Sequence, residues 1–245
     1  MKSEKEILRR LLIVSTSTVH GKPYLTYLTP EIKKHFEGVK TIVFIPFARP
    51  SGVTWEKYTE VARAYFETIG IQIKGLHEFD DMVEGINSAE AVFIGGGNTF
   101  VLLNEIYENG LMDALRDRVF GGMPYMGTSA GSNMLGMTIN NTNDMPIVYP
   151  PAFDAIGAVP FNINPHYLDP NPDSKHMGET RETRIKEYHI YNKLAVVGLR
   201  EGSYLKVTND QATLGGGLPA RIFEKGKDPV EVESGSDVSF LMRGK

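Results

Sequence analysis

Five short β-rich runs in the first half of the chain, residues 11–15, 41–46, 71–76, 91–95 and 124–127, read as apolar without the alternation of a half-exposed strand. A strand that is apolar on both sides must be covered on both, and a parallel sheet between two layers of helices does this. Helix-like segments lie between the runs. In the clearest, residues 55–69, the side chains of Trp55, Tyr58, Val61, Ala62, Tyr65, Phe66 and Ile69 recur at three- and four-residue steps, with Thr54 placed to cap the start and Gly70 to end it. Residues 99–109 repeat the pattern and stop at Gly110. Strands alternating with helices through right-handed crossovers predict an α/β fold, a three-layer α/β/α sandwich with a mostly parallel sheet.

The last third changes character. After a helix-like segment at 179–191, short strands at 195–199, 203–207, 212–214, 221–223 and 230–233 follow closely, with turn signals at Asn209-Asp210, Gly215-Gly216-Gly217 and Lys225-Gly226. This spacing predicts C-terminal antiparallel hairpins that extend or flank the main sheet. No repeat, low-complexity tract or linker breaks residues 1–245, so a single domain is expected.

Composition narrows the chemistry. The absence of cysteine from all 245 residues removes disulfides, thiolate metal sites and a cysteine nucleophile together. A net charge of 26 − 30 = −4 gives no electrostatic footprint for nucleic acid or an anionic membrane. The apolar run at 11–14 is too short for a signal-peptide core. No stretch approaches the ~20 apolar residues that cross a bilayer, so a soluble cytoplasmic protein is expected.

Covalent chemistry therefore needs another nucleophile, and residues 124–135 offer one. A strand runs into Gly127-Thr128-Ser129-Ala130-Gly131 and then into a helix start, the context of a nucleophile elbow. A glycine-rich turn with a capping serine fits the same pattern. A serine hydroxyl needs a base to take its proton. Of the six histidines, His35 and His189 fall in charged helical segments and read as solvated, whereas His166 sits in the irregular stretch Asn162-Ile163-Asn164-Pro165-His166-Tyr167, suited to the rim of a sheet. Asp144, in the polar loop 140–146, gives the order Ser129, Asp144, His166 of α/β-hydrolases, although an Asx turn explains it too. Glu201, before Gly202 at the end of an apolar strand, is the rival acid.

A second glycine cluster, Gly95-Gly96-Gly97-Asn98, leaves a strand and enters a helix, a geometry that aims backbone N–H groups at an anion. It lacks the lysine of a P-loop, and Phe100 stands where a dinucleotide fingerprint needs its last glycine. Gly96 and Gly97, with the N–H of Ala130, are therefore candidate oxyanion donors. His166 with Asp169, and His176 with Glu179, lack a metal-ligand spacing, and no metal is expected.

Taken in order, five segments carry a family resemblance: Gly-Gly-Gly-Asn-Thr-Phe at 95–100, Gly-Thr-Ser-Ala-Gly at 127–131, Thr-Asn-Asp-Met-Pro-Ile-Val at 142–148, Ile-Asn-Pro-His at 163–166 and Gly-Glu-Thr-Arg-Glu-x-Arg-Ile at 178–185. They resemble the S51 serine peptidases of the peptidase E type, the α-aspartyl dipeptidases, and the likeness runs from about Leu11 to near the C-terminus. The resemblance implies a class I glutamine amidotransferase-like (flavodoxin-like) fold with serine in place of cysteine, and hydrolysis of dipeptides with N-terminal aspartate. It implies Ser129 as nucleophile, His166 as general base, and Asp144 or Glu201 as the third member, with no cofactor. The substrate's aspartate carboxylate calls for a forked cation. Arg181 and Arg184, three residues apart on one side of a helix, are candidates, and Arg49, in the loop after the second strand, is a third. A solvated helix face paired through Glu182 and Lys186 accounts for the same pattern. Two other functions remain open at this level: an S51 hydrolase acting on cyanophycin or other aspartate-rich peptides, and a non-catalytic small-molecule binding module. The expected partner is a small peptide substrate, with no nucleic acid or membrane, and homo-oligomerisation stays open.

Overall fold

The computed structural model describes residues 7–170 and 178–244. Strands β1 (Arg10–Val14), β2 (Thr41–Ile45), β3 (Gln72–Gly75), β4 (Ala91–Ile94) and β5 (Tyr125–Thr128) pair in parallel in the order β3-β2-β4-β5-β1. The remaining strands are β6 (Asn162–Pro165), β7 (Val196–Leu199), β8 (Tyr204–Thr208), β9 (Gln211–Gly215), β10 (Ala220–Phe223) and β11 (Val230–Val232). Helices α1 (Thr29–His35), α2 (Trp55–Glu67), α3 (Met82–Asn87), α4 (Thr99–Glu108), α5 (Met112–Phe120), α6 (Ala130–Asn133) and α7 (Arg181–Tyr191) fill the connections. Among the described residues, no helix is long and apolar enough to cross a membrane.

The layering follows from side-chain alternation along each strand. In β1, Leu12 and Val14 pack with Ile32 of α1 and with Tyr58, Ala62 and Phe66 of α2. Leu11 and Ile13 enter the opposite cluster with Ile86, Leu102, Leu103, Ile106, Leu115 and Val119 of α3, α4 and α5. Both faces of the sheet are thus covered, as the apolar runs predict. Strand β3 departs from that expectation: Gln72 and Lys74 are exposed while Ile73 and Gly75 are buried, because β3 is the sheet's edge. Helix α2 starts where Thr54 accepts from the Lys57 amide, the expected cap.

The C-terminal third divides in two. The β8–β9 hairpin adds to β1 in antiparallel fashion and extends the main sheet to seven strands. The others form a four-stranded sheet in the order β11-β10-β7-β6, in which β10 pairs antiparallel with β11 and β7, but β6 and β7 run parallel. The stretch before His166, which reads as irregular, is therefore strand β6. Its asparagines hid it. Asn162 and Asn164 are fully buried, and their amides are satisfied by Thr138 and by the Asn141 carbonyl.

Two histidines that read as solvated are buried. His189 bonds to the Leu194 carbonyl at 3.0 Å through Nε2. His35 is only 3% exposed, and its Nε2 lies 3.0 Å from the Tyr125 carbonyl of the central strand. Burial, and secondarily Arg10, lowers the His35 pKa to about 3. The unfolded chain keeps an ordinary value of about 6.5. Neutral His35 therefore contributes stability that is fully present above pH ~6.5 and is lost as pH falls toward 3. The variant H35Q is expected to lose less of its urea-unfolding midpoint than the parent between pH 7 and pH 4.5. Parallel pH profiles for the two proteins would contradict this account.

Candidate active site

The central strand β5 ends at Ser129, whose backbone is bent to φ +53°, ψ −113° before α6 begins. A non-glycine residue in such a region costs about 1–3 kcal/mol and persists only where its surroundings fix it. Both flanking glycines are required by close approach. A Cβ on Gly127 would lie 2.4 Å from the Gly131 carbonyl oxygen, and one on Gly131 would lie 2.1 Å from that of Ile94. The Ser132 hydroxyl then ties the turn to β1, accepting from the Val14 amide at 3.0 Å and facing the Val14 and Gly127 carbonyls at 2.7 and 2.8 Å. Ser129 Oγ is left at the sheet's C-terminal edge.

His166 and Glu201 reach that edge from the second sheet. Parallel strands β6 and β7 pair with Pro165 opposite Leu199, so the residues just beyond them emerge side by side. The buried hydroxyl of Ser15, at the end of β1, donates to the Leu199 carbonyl at 2.8 Å and accepts from the His166 amide at 3.0 Å. Arg200 fixes the flank: it forms a bidentate pair with Asp169, three residues past His166, at 2.6 and 2.7 Å, and a second with Glu231 at 2.9 and 3.0 Å. His166 adopts φ +53°. Its Nε2 lies 3.0 Å from Ser129 Oγ, and its Nδ1 lies 2.8 Å from Glu201 Oε1. With Nδ1–H donating to the carboxylate, Nε2 is the free base that accepts from the serine hydroxyl.

The carboxylate that meets the His166 ring is that of Glu201, not that of Asp144. Chain order favoured Asp144, but its carboxylate is turned to the start of α4, where Oδ2 accepts from the Thr99 amide at 2.8 Å and faces Thr142 Oγ1 at 3.2 Å. A carboxylate at a helix N-terminus is favoured by the helix dipole and the unpaired amides there.

The glycine loop is corrected at one position. The Gly96 amide donates to Tyr58 Oη at 2.9 Å and is not free to bind an anion. Gly96 instead makes room for Ser129, since a Cβ there would lie 2.9 Å from Ser129 Cβ. Gly97, at φ +150°, presses against Ala48, whose carbonyl oxygen would lie 2.2 Å from a Cβ. Among the described residues, no acceptor takes the amides of Gly97 or Ala130.

The three candidate arginines have separate fates. Arg49 donates through Nε to the Gly96 carbonyl at 3.1 Å. Arg184 is exposed and lies 3.8 Å from Glu179. Arg181, half-buried at the start of α7, has no hydrogen bond or ion pair among the described residues. Burial lowers its pKa, Arg184 adds to the effect, and Asp144 opposes it. Part of α7 is a paired face, for Glu182 bonds to Lys186 at 2.6 Å and to Arg221 at 3.0 Å. No group of three or more histidines and carboxylates that could hold a metal ion occurs among the described residues. Asp169 is engaged by Arg200, and His176 lies outside the described residues.

The sequence profile described as peptidase family S51 matches residues 11–215 of this chain. The chain belongs to that family. Among its relatives, Peptidase E of Streptomyces coelicolor is 47% identical over 232 residues, covering 95% of this chain and 94% of that protein. A Drosophila melanogaster protein named "Probable alpha-aspartyl dipeptidase" is 42% identical over 238 residues, covering 96% and 98%. The crystal structure of a peptidase from an acI-B1 Actinobacterium matches with a TM-score of 0.69 at 18% identity, over 96% of this chain and 98% of that one. The S51 chain shares the fold of that peptidase, α/β with a mostly parallel sheet and C-terminal antiparallel strands.

Sequence reasoning missed Ser15, which carries no motif and is recognisable only as a hydroxyl at the end of an apolar strand. S15A leaves the His166 amide and the Leu199 carbonyl without their partner, a loss of roughly 1–3 kcal/mol. Urea denaturation of this S51 peptidase should show that loss, and an unchanged midpoint would mean that the two sheets are joined in some other way.

Proposed function

We propose that this S51 peptidase is a serine dipeptidase that hydrolyses dipeptides with N-terminal aspartate. The observation that carries the reading is the continuous hydrogen-bonded chain from Ser129 Oγ through the His166 ring to Glu201, at 3.0 and 2.8 Å. Ser129 attacks the peptide carbonyl while His166 takes its proton, and Glu201 holds the imidazole tautomer and stabilises the imidazolium. The Gly97 and Ala130 amides receive the negative oxygen. His166 then protonates the departing amine, and water attacks the acyl-enzyme with His166 again as base. Preference for aspartate rests on the name of a relative and on Arg181, a half-buried guanidinium without a hydrogen-bond or ion-pair partner among the described residues. Arg184, 3.8 Å from Glu179, and Arg49, which donates to the Gly96 carbonyl, are weaker choices.

The test is hydrolysis of Asp-Leu by the parent protein and by S129A, beside a β-linked aspartyl dipeptide and cyanophycin. The parent should prefer Asp-Leu, and S129A should be inactive. Inactivity of the folded parent on Asp-Leu, with fluorophosphonate failing to label Ser129, would favour a binding module. For the acid, E201Q should lower kcat by on the order of 10⁴, as loss of the orienting carboxylate does in other serine proteases. D144N should be milder, and the reverse ranking would move the triad back to Asp144.

Arg181 makes a selective prediction. If its guanidinium holds the substrate carboxylate, R181A should cost roughly 2–5 kcal/mol in kcat/KM for Asp-Leu, the range for breaking a buried charge pair. Turnover of Asn-Leu should change little. Equal losses on both substrates would identify Arg181 as structural.

A further inference from the structure

Gly96 is held by side chains on both of its backbone groups. Tyr58 Oη accepts from the Gly96 amide at 2.9 Å and donates to the Gly96 carbonyl at 3.2 Å, and Arg49 Nε donates to the same carbonyl at 3.1 Å. The Arg49 guanidinium lies over the Tyr58 ring, 5.1 Å from its centroid. Gly95 is what lets the tyrosine come so close, since a Cβ there would lie 2.6 Å from Tyr58 Oη.

The Gly96 carbonyl and the Gly97 amide belong to one planar peptide unit. In a trans peptide the two point in opposite directions, so whatever fixes the carbonyl also fixes the N–H. Three consecutive glycines supply no such control, because their backbone dihedrals are the softest in the chain. Two donors on one carbonyl also polarise the peptide, which strengthens its N–H as a donor.

We propose that Tyr58 and Arg49 are positioning residues for the oxyanion hole, holding the Gly96 carbonyl so that the Gly97 N–H is aimed at the oxygen that becomes negative when Ser129 attacks. The inference rests on the serine-peptidase reading of the site. It gives Arg49 a task other than binding the substrate carboxylate. It also accounts for the capture of the Gly96 amide: one potential donor is used to immobilise its neighbour. Tyr58 is 4% exposed and its ring packs edge-on against Phe44, with centroids 5.1 Å apart, so the hydroxyl is presented from a fixed base in α2.

The experiment compares Y58F and R49Q with the parent, with kcat expressed per active site titrated by a fluorophosphonate. Deleting an oxyanion donor outright costs about 10²–10³ in kcat, so mis-aiming one should cost roughly 10- to 100-fold in Y58F. KM for Asp-Leu should stay within about two-fold, because this contact strengthens in the transition state and not in the ground state. An α-aminoboronic acid analogue of aspartate, which places a boron-bound oxygen in the hole as its adduct on Ser129, should lose affinity by a similar factor. R49Q should reproduce a smaller form of the same change. The double variant should be little worse than Y58F alone, since both side chains act on one carbonyl.

A purely structural role predicts fewer titratable sites with normal kcat at each, and that result would overturn the proposal. So would a rise in KM for Asp-Leu but not for Asn-Leu in R49Q, which would return Arg49 to carboxylate binding. If Y58F fails to fold, R49Q decides alone by the same parameters. Loss of the underlying reading looks different: S129A would then retain turnover, or the parent would have none.

Discussion

Ser129 and His166 meet only if two separate sheets end at the same place, and the buried hydroxyl of Ser15 is the interaction that registers them. It spans the end of β1 and the ends of β6 and β7 by donating to Leu199 and accepting from His166. A hydroxyl suits this position because it can do both at once, satisfying an amide and a carbonyl that would otherwise be buried without partners. The parallel pairing of β6 with β7 then needs no further device to bring histidine and glutamate together, because strands in equal register end at a common edge. Arg200 braces the outer side of the pair through Asp169 and Glu231.

The serine side is built by exclusion. Between Gly127, Gly131 and Ile94 there is no space for a methyl group, and the strand-to-helix turn can close only because none is present. That closure drives Ser129 into its unfavourable backbone conformation, and the hydrogen bonds of Ser132 hold it there. Strain at Ser129 is thus maintained by packing one turn deeper. The same logic extends to Gly96, whose missing side chain is space taken up by Ser129 itself.

The main sheet was legible because its strands are buried on both faces, which leaves an unbroken apolar signature; β3 broke the pattern as an edge strand does. Strand β6 was not legible. Its buried asparagines are satisfied by loop partners distant in sequence, and a single polar run gives no sign of them. His35 misled for a related reason: charged neighbours on α1 say nothing about the face that meets Tyr125. Ser129 and His166 stood out because their motifs need special local geometry. The choice of acid did not, since Asp144 and Glu201 differ only in which strand ends converge, and that is a property of topology. Arg181 was one of three equivalent arginines until the partners of the other two were known.

The division of Ser129, His166 and Glu201 between two sheets also sets the order in which they meet. A chain that leaves the ribosome N-terminus first presents β1 to β5, and with them Ser129, well before residues 166 and 201 have been made. At that stage the serine has neither the imidazole nor the carboxylate that lie in line with it in the folded chain. Until β6 and β7 dock on Ser15, the Ser129 hydroxyl stands alone, so the hydrogen-bonded line that joins the two sheets is the last feature of the site to assemble.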